Sequence, residues 1–349
     1  MRARIVIGAN FGDEGKGLVT DYLCAQGAGM VVRFNGGAQA GHTVVTPVGE
    51  RHVFHHFGSG TLVGVPTFLS QFFVCNPLVA LREADDLIDL NYRPVLYAHP
   101  NCPVTTFADM IINQQREDAM GAKRHGSTGV GFNETVLRSD IPELKITMSD
   151  LWNGIPLEDR LSQICGKYAE FRTGAKINDP GAMIDNFIRL AKKFANSVEP
   201  LGIKQCPDPV FEGAQGLLLD QDNKEFFPHL THSHTGIHNV RILCEQGSFD
   251  EIQAYYVSRT YLTRHGAGPL PGEDHKLRFE DNTNFTNDYQ GPLRFAPLIV
   301  DQLQYRCATD FGSSDCKLVL THCDQFPPPC VADLYAYGPT RNRLTEDTI

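Results

Sequence analysis

Residues 3–17 read ARIVIGANFGDEGKG, and residues 18–26 continue LVTDYLCAQ. The β-branched run closes on Gly8, while Leu18, Tyr22 and Leu23 recur at helical spacing, so the segment predicts strand, Gly-rich loop and helix. Between them Gly12-Asp13-Glu14-Gly15-Lys16-Gly17 offers backbone N–H groups, a helix N-terminus and one ammonium, which together suit a phosphate. It is not a Walker A loop, because Gly17 stands where a Ser or Thr hydroxyl would hold Mg2+, and it is not GxGxxG. Asp13 is the unusual member, since an acid repels phosphate unless a metal or a chemical role compensates.

Outward from that segment, GMVVRF (29–34), HVFHHF (52–57), PVLYAHP (94–100), PVFEGA (209–214), IQAYYVSRTYL (252–262) and CKLVLTHC (316–323) predict further strands. Continuous apolar runs suit strands covered on both faces, which points to a parallel or mixed α/β sheet. A helix is expected over 180–198, with Asp179 as cap, Pro180 in the first turn, and Met183, Ile184, Phe187, Ala191, Phe194 and Ala195 as one apolar stripe. Residues 272–297 are polar and weakly periodic, the kind of long loop that is often functional. With no repeat or linker, a single domain over 1–349 is expected.

Composition narrows the function. The 349 residues carry 42% hydrophobic and 21% charged side chains, so the chain is expected to fold. The 31 Lys and Arg against 41 Asp and Glu give a net charge of −10, and no basic block exceeds Lys192-Lys193, so nucleic acid is disfavoured. No run approaches the roughly 18 apolar residues of a membrane span and the N-terminus does not read as a signal peptide, so a cytoplasmic protein without a membrane partner is expected. The ten cysteines show no CxxC pair or zinc spacing and read as reduced core residues.

Four more segments carry candidate chemistry. Gly36-Gly37-Ala38-Gln39-Ala40-Gly41-His42-Thr43 presents an amide and an imidazole after a strand. Gly126-Ser127-Thr128-Gly129-Val130-Gly131, followed by Arg138, suits a phosphomonoester. Glu212-Gly213-Ala214-Gln215-Gly216 leads to Asp220 and to Thr231-His232-Ser233-His234-Thr235, whose two His have no carboxylate triad nearby in sequence, which disfavours a metal there. Thr263-Arg264-His265-Gly266-Ala267-Gly268-Pro269 is Gly-rich and basic.

In this order, and with THCD at 321–324 and YGPTR at 337–341, the segments closely resemble the adenylosuccinate synthetase family, purine ligases that join aspartate to the 6-position of a nucleotide. The resemblance implies a P-loop-NTPase-like α/β fold, a mostly parallel central sheet flanked by helices. It implies Asp13 as general base and His42 as general acid, and Mg2+ held by Asp13 and the Gly41 carbonyl. Gly12, Glu14, Gly15, Lys16, Gly17, Gly41, Thr43, Asp324, Gly338 and Pro339 would bind the triphosphate donor. Phe11, Asp13, Gln39, Ser127, Thr128, Gln215, Thr231 and Arg264 would contact the substrate nucleotide, with Arg138 reaching it across a homodimer interface, and Arg294 would bind aspartate.

Departures from the family pattern refine the expectation. Asn10, Phe11 and Gln39 stand where the pattern has Gln, Trp and Asn, His322 stands where a Lys covers the donor base, and only Arg294 remains of an arginine-rich loop. Short members with an altered base pocket resemble the phage-type branch, which joins L-aspartate to dGMP on the way to 2,6-diaminopurine deoxynucleotides in the host cytoplasm. The alternatives are the IMP- and GTP-using ligase and a non-catalytic nucleotide-binding protein. Retention of Asp13, Lys16 and His42 argues against the last, and ATP, dATP and GTP stay open as donor.

Overall fold

The computed structural model describes residues 2–121, 127–168, 177–281, 283 and 291–347. In chain order its strands are β1 (Arg2–Gly8), β2 (Met30–Arg33), β3 (His42–Val45), β4 (Arg51–Phe54), β5 (Thr67–Leu69), β6 (Leu96–Ala98), β7 (Glu199–Pro200), β8 (Pro209–Gly216), β9 (Glu251–Arg259), β10 (Tyr261–Arg264), β11 (Arg294–Pro297), β12 (Lys317–Thr321), β13 (Leu334–Ala336) and β14 (Leu344–Thr345). Ten form one sheet in the order β14-β13-β12-β9-β1-β8-β2-β5-β6-β7. Every neighbouring pair in it is parallel except β13 with β14.

Both faces of this sheet are covered, which is why its strands read as unbroken apolar runs. On one face Val6, Val31, Val210, Val257 and Val319 pack with Leu18, Val19 and Leu23 of α1 (Lys16–Ala25). On the other, Ile5, Ile7, Val32, Phe211, Ala254 and Tyr256 meet two later helices through Val240, Leu243 and Leu303. The remaining helices run, in chain order, α2 (Pro77–Asp89), α3 (Phe107–Met120), α4 (Phe132–Ser139), α5 (Met148–Asn153), α6 (Leu157–Gln163), α7 (Gly181–Ala195), α8 (His238–Gly247) and α9 (Val300–Phe311). Most of them belong to a third cluster beside β5 and β6. Among the described residues no helix is long and apolar enough to cross a membrane, and all ten cysteines are free.

Several sequence expectations are corrected. The 52–57 run supplies only β4, which pairs antiparallel with β3 as a hairpin outside the main sheet. The 252–262 run is two strands: β9 stays in the sheet, and after Thr260 β10 leaves to pair with β11. The final residues of the polar 272–297 stretch are therefore a strand, while its residues 282 and 284–290 lie outside the described residues. At α7 Asp179 does not cap, since its own backbone is left-handed (φ 46°) and Pro180 takes the cap position. Met183 faces out of the apolar stripe at 41% exposure.

Candidate active site

Parallel register decides where chemistry can gather. β12, β9, β1, β8 and β2 are consecutive neighbours, so the loops leaving their carboxyl ends lie side by side, where ligands of open α/β sheets bind. Three of the five Gly-rich segments leave from these ends, those after β1 and β2 and the one that closes β8, while the fifth follows β10 outside the main sheet. Asn35 ties two of them together, its amide donating to the Ala214 and His234 carbonyls (3.1 and 2.9 Å) while its oxygen accepts from the Ala214 N–H (2.7 Å). The third segment approaches through Asn76, which donates to the Val130 carbonyl (3.2 Å), and through a bridge between Gly37 and Val74. Gly126 lies outside the described residues.

The phosphate-type loop is tightly enclosed. A Cβ on Gly17 would meet the Thr43 carbonyl at 2.9 Å and the Ser59 hydroxyl at 3.2 Å, so the glycine in place of a Walker hydroxyl lets α1 touch the strand that carries His42. A Cβ on Gly216 would meet the Asn10 carbonyl at 2.3 Å. Inside the loop Glu14 is buried and accepts from the N–H groups of Asn10 and Gly12 (3.0 and 2.8 Å), and its other oxygen pairs with Lys16 at 3.3 Å. Burial pushes the Glu14 carboxyl up, resisted first by Lys16. Gly12 and Glu14 are therefore corrected from phosphate contacts to internal partners of the loop. Gly15, at φ 95°, precedes α1, whose first residue Lys16 supplies the ammonium. Asp13 is partly exposed, and among the described residues its carboxylate takes no hydrogen bond from the protein.

His42 sits at the start of β3 and is buried. Its Nδ1 lies 2.8 Å from Glu212 Oε1, and Glu212 also accepts from the Ser59 hydroxyl and N–H and faces Arg33 at 3.7 Å. Burial pushes the Glu212 carboxyl up, but His42, Arg33 and these hydrogen bonds hold it down to about 2, so it is charged and can only accept. Nδ1 therefore carries the proton. Burial pushes His42 down to about 4, leaving a neutral ring whose Nε2 lone pair is buried with no hydrogen-bond partner among the described residues. Both amide atoms of Gln39, three residues earlier, are likewise buried and unpartnered. Orphaned polar atoms of this kind are what a ligand satisfies.

The substrate-side expectations are placed unevenly. Gln215 is left-handed (φ 64°), with its amide oxygen 3.5 Å from where a Gly12 Cβ would lie. Thr231 donates its N–H to Leu219, and Ser127 donates its hydroxyl to Asn113 (3.0 Å), while Thr128 is partly exposed beside it. Phe11 is not an open wall of a base pocket: its ring is buried, edge-on to Phe226 at 5.1 Å and 4.6 Å beneath the Arg264 guanidinium. Arg264 donates to the Pro269 and His229 carbonyls (2.7 and 3.0 Å). Phe11 is thus corrected to a support beneath Arg264, whose Nε is buried with no hydrogen-bond partner among the described residues.

Arg138 is corrected more strongly. It is fully buried, donates Nε and Nη2 to the two oxygens of Asp109 (2.8 and 2.9 Å), and caps the Leu144 and Val104 carbonyls (2.6 and 2.7 Å). That geometry is an internal clamp: four of its five N–H groups are taken within the chain and the side chain is fully buried. Arg138→Leu is accordingly expected to destabilise the fold by about 3–5 kcal/mol, because it strands the buried Asp109 charge; urea unfolding measures this. Arg294 braces the fifth segment, bonding Glu273 (2.9 Å) and the Gly266 and Gly268 carbonyls (2.9 and 2.7 Å), so three of its contacts are internal.

On the donor side the turn after β12 exposes Asp324. His322 is left-handed (φ 60°), bonded to the Thr321 hydroxyl at 2.9 Å and pushed by burial to about 3, so a neutral ring stands where the family resemblance expects a cation. Thr43, Gly338 and Pro339 line up on the same side, since Val45 bridges to Thr340. For a divalent ion the Asp13 carboxylate and the carbonyl of Gly41, an exposed residue, are hard oxygen donors of the type Mg2+ takes. The sequence reading of His234 needs revising: Asp220 and Asp222 fold to 3.7 and 3.6 Å from its Nδ1.

Sequence reasoning missed Glu212 as the partner of His42, Ser59 and Arg33 as the partners of Glu212, and Arg259 and Arg306 behind the phosphate loop. A charged residue ending an apolar strand, as in VVRF and YVSR, was the available signal.

Comparisons with known proteins bear on the family and the fold. The family profile for adenylosuccinate synthetase matches residues 5–290. Adenylosuccinate synthetase of Pseudomonas fluorescens (strain SBW25) is 31% identical over 282 residues, 77% of this chain and 65% of the relative. That of Anaeromyxobacter dehalogenans (strain 2CP-1) is 32% identical over 285 residues, 77% of this chain and 64% of the relative. The chain thus spans less than two thirds of the length of these relatives. Among solved structures, fully ligated adenylosuccinate synthetase from Plasmodium falciparum superposes with a TM-score of 0.74 at 20% identity, covering 92% of this chain and 77% of its own. Cyanophage S-2L succinoaminodeoxyadenylate synthetase (PurZ), bound to dGMP and dATP, gives 0.68 at 16% identity, covering 99% and 95%. At such identities these two likenesses concern the fold.

Proposed function

This chain belongs to the adenylosuccinate synthetase family, and on that premise we propose that it is a C–N bond-forming ligase that joins L-aspartate to the 6-position of a purine nucleotide at the expense of a nucleoside triphosphate. The observation that carries the reading is the presence of Asp13, whose carboxylate takes no hydrogen bond among the described residues, together with a buried His42–Glu212 dyad at the carboxyl ends of β1, β2 and β8.

The chemistry follows from these groups. A purine 6-oxygen is a poor leaving group, so it is first phosphorylated: Asp13 takes the N1 proton as the 6-oxygen attacks the terminal phosphorus of the donor and the bond to the donor diphosphate breaks. Lys16 supplies fixed positive charge beside the loop. His42 is neutral among protein groups alone, and approaching phosphate oxygens raise its proton affinity, so that Nε2 carries a proton toward the transferring phosphoryl while Glu212 holds the ring. The aspartate amine then displaces inorganic phosphate from the 6-carbon. Mg2+, when bound, would offset charge on the donor's phosphate oxygens, with Asp13 and the Gly41 carbonyl as its protein ligands.

For the acceptor we favour dGMP. Gln39 offers a base edge an amide with no hydrogen-bond partner among the described residues, and the fold neighbour that matches this chain along 99% of its length binds dGMP with dATP. IMP with GTP is the second reading, favoured by the curated relatives. The homodimer implied by the family stays part of the proposal, without Arg138 as its shared residue. Turnover over Michaelis constant, measured by phosphate release with Mg2+ and aspartate for dGMP, GMP, IMP and dIMP, is expected to favour dGMP over IMP by about 10²-fold, because a site built for the 2-amino group leaves polar atoms unpaired around inosine. Preference for IMP would reject dGMP and keep the ligase; no phosphate release with any of them would reject both.

A further inference from the structure

We propose that Arg259 is a positioning residue: it fixes the Asp13 peptide for the chemistry and registers the polar segment around Asp281 on the phosphate loop. The proposal rests on the ligase reading above for what Asp13 does, but the contacts stand without it. Arg259 ends β9 beside β1, is buried, and divides its fork three ways. Nε donates to the Asp13 carbonyl at 2.6 Å, Nη1 to the Tyr261 hydroxyl at 3.3 Å, and Nη2 to Asp281 Oδ2 at 2.8 Å.

The Asp13 peptide needs such a hold. Asp13 is left-handed (φ 61°) and follows Gly12 at φ 99°, a conformation that a non-glycine residue keeps only when its surroundings impose it. Two other carbonyls near it are caught in the same manner: Arg306 donates to Ala9 (2.8 Å) and the Thr321 hydroxyl to Glu14 (2.7 Å). Three carbonyls are thus drawn back into the protein by side chains of neighbouring elements. Of these three side chains, Arg259 alone bonds the residue whose carboxylate reacts.

Without the guanidinium the 13–14 peptide is free to turn, and Asp13 can relax out of the left-handed region and carry its carboxylate away from the acceptor nitrogen. The second arm has its own consequence. Asp281 is nearly buried against Arg259, and Phe279 stacks on Tyr261 at 3.8 Å and 7°, so a segment distant in sequence is seated on the loop through one planar group. A lysine has a single point of attachment and cannot serve both arms.

The test uses the full chain with Arg259→Met, Arg259→Lys, Asp281→Asn and the double variant Arg259→Met/Asp281→Asn, each measured for kcat, KM and amide hydrogen exchange over residues 10–16. Arg259→Met is expected to lower kcat about 10²-fold with nucleotide KM within about threefold, since misplacing a catalytic group by an ångström has that effect. Faster exchange over 10–16 should accompany it, and Arg259→Lys should recover less than about tenfold of the loss. Asp281→Asn should lower kcat about fivefold, and the double variant should be no worse than Arg259→Met, as expected for coupled residues. If Arg259→Met does not fold, Arg259→Lys and Asp281→Asn carry the same comparison. Unchanged exchange over 10–16, or kcat per folded molecule close to wild type, overturns the proposal. Absence of wild-type turnover rejects the ligase reading instead, and the exchange measurement then still decides whether Arg259 holds the loop.

Discussion

Asp13→Asn is expected to leave the protein folded and able to bind its nucleotides while lowering turnover by about 10³-fold or more, because one substitution removes a general base and weakens a metal ligand together. The structure explains why folding is spared. The Asp13 carboxylate is partly exposed and takes no hydrogen bond among the described residues, and the contact that shapes the loop is made by its backbone carbonyl to Arg259. An asparagine keeps that carbonyl and tolerates the left-handed backbone. Single-turnover phosphate release, with nucleotide affinity measured separately by calorimetry, checks both halves. Turnover within tenfold of wild type would remove Asp13 from the chemistry and with it the proposed mechanism.

Glu212→Gln should damage stability and turnover at once. The substitution leaves the Arg33 guanidinium, fully buried, without its carboxylate, which is expected to destabilise the fold by about 3 kcal/mol or more. It also ends the requirement that Nδ1 of His42 carry the proton, since an amide can donate as well as accept, and a His in the wrong tautomer is expected to lower kcat by about 10²-fold or more. The pH dependence has a definite sign. Glu212 is held at about 2, below its ordinary value of 4.5, so its contribution is present above pH 4.5 and is lost as pH falls toward 2. The stability gap between wild type and Glu212→Gln should therefore narrow below about pH 4.5. Denaturant unfolding at pH 7 and pH 4 measures it; a gap that widens on acidification would mean that Glu212 is not the charged member of the pair.

Much of this protein was legible from local chemistry alone. The ARIVIGANFGDEGKG segment specifies strand, loop and helix because a β-branched run, tight-turn glycines and a 3.6-residue spacing each constrain the backbone nearby, and they agree. Unbroken valine and isoleucine runs state that both faces of a sheet are covered, and Asp13 and His42 stand out as an acid and an imidazole within glycine loops. What the sequence could not state is which charged residue meets which. Arg138 follows a Gly-rich loop and so reads as a phosphate ligand, yet it folds onto Asp109, 29 residues away. The partner of His42 lies 170 residues later, and that of the Asp13 carbonyl 246 later. Such pairings are set by strand order: β8 and β9 flank β1 on either side, so Glu212 and Arg259 arrive at the same edge as the Asp13 loop. Periodicity and propensity act over a few residues, whereas a buried charge takes its meaning from the counter-charge that tertiary packing brings to it, and only the folded sheet decides that.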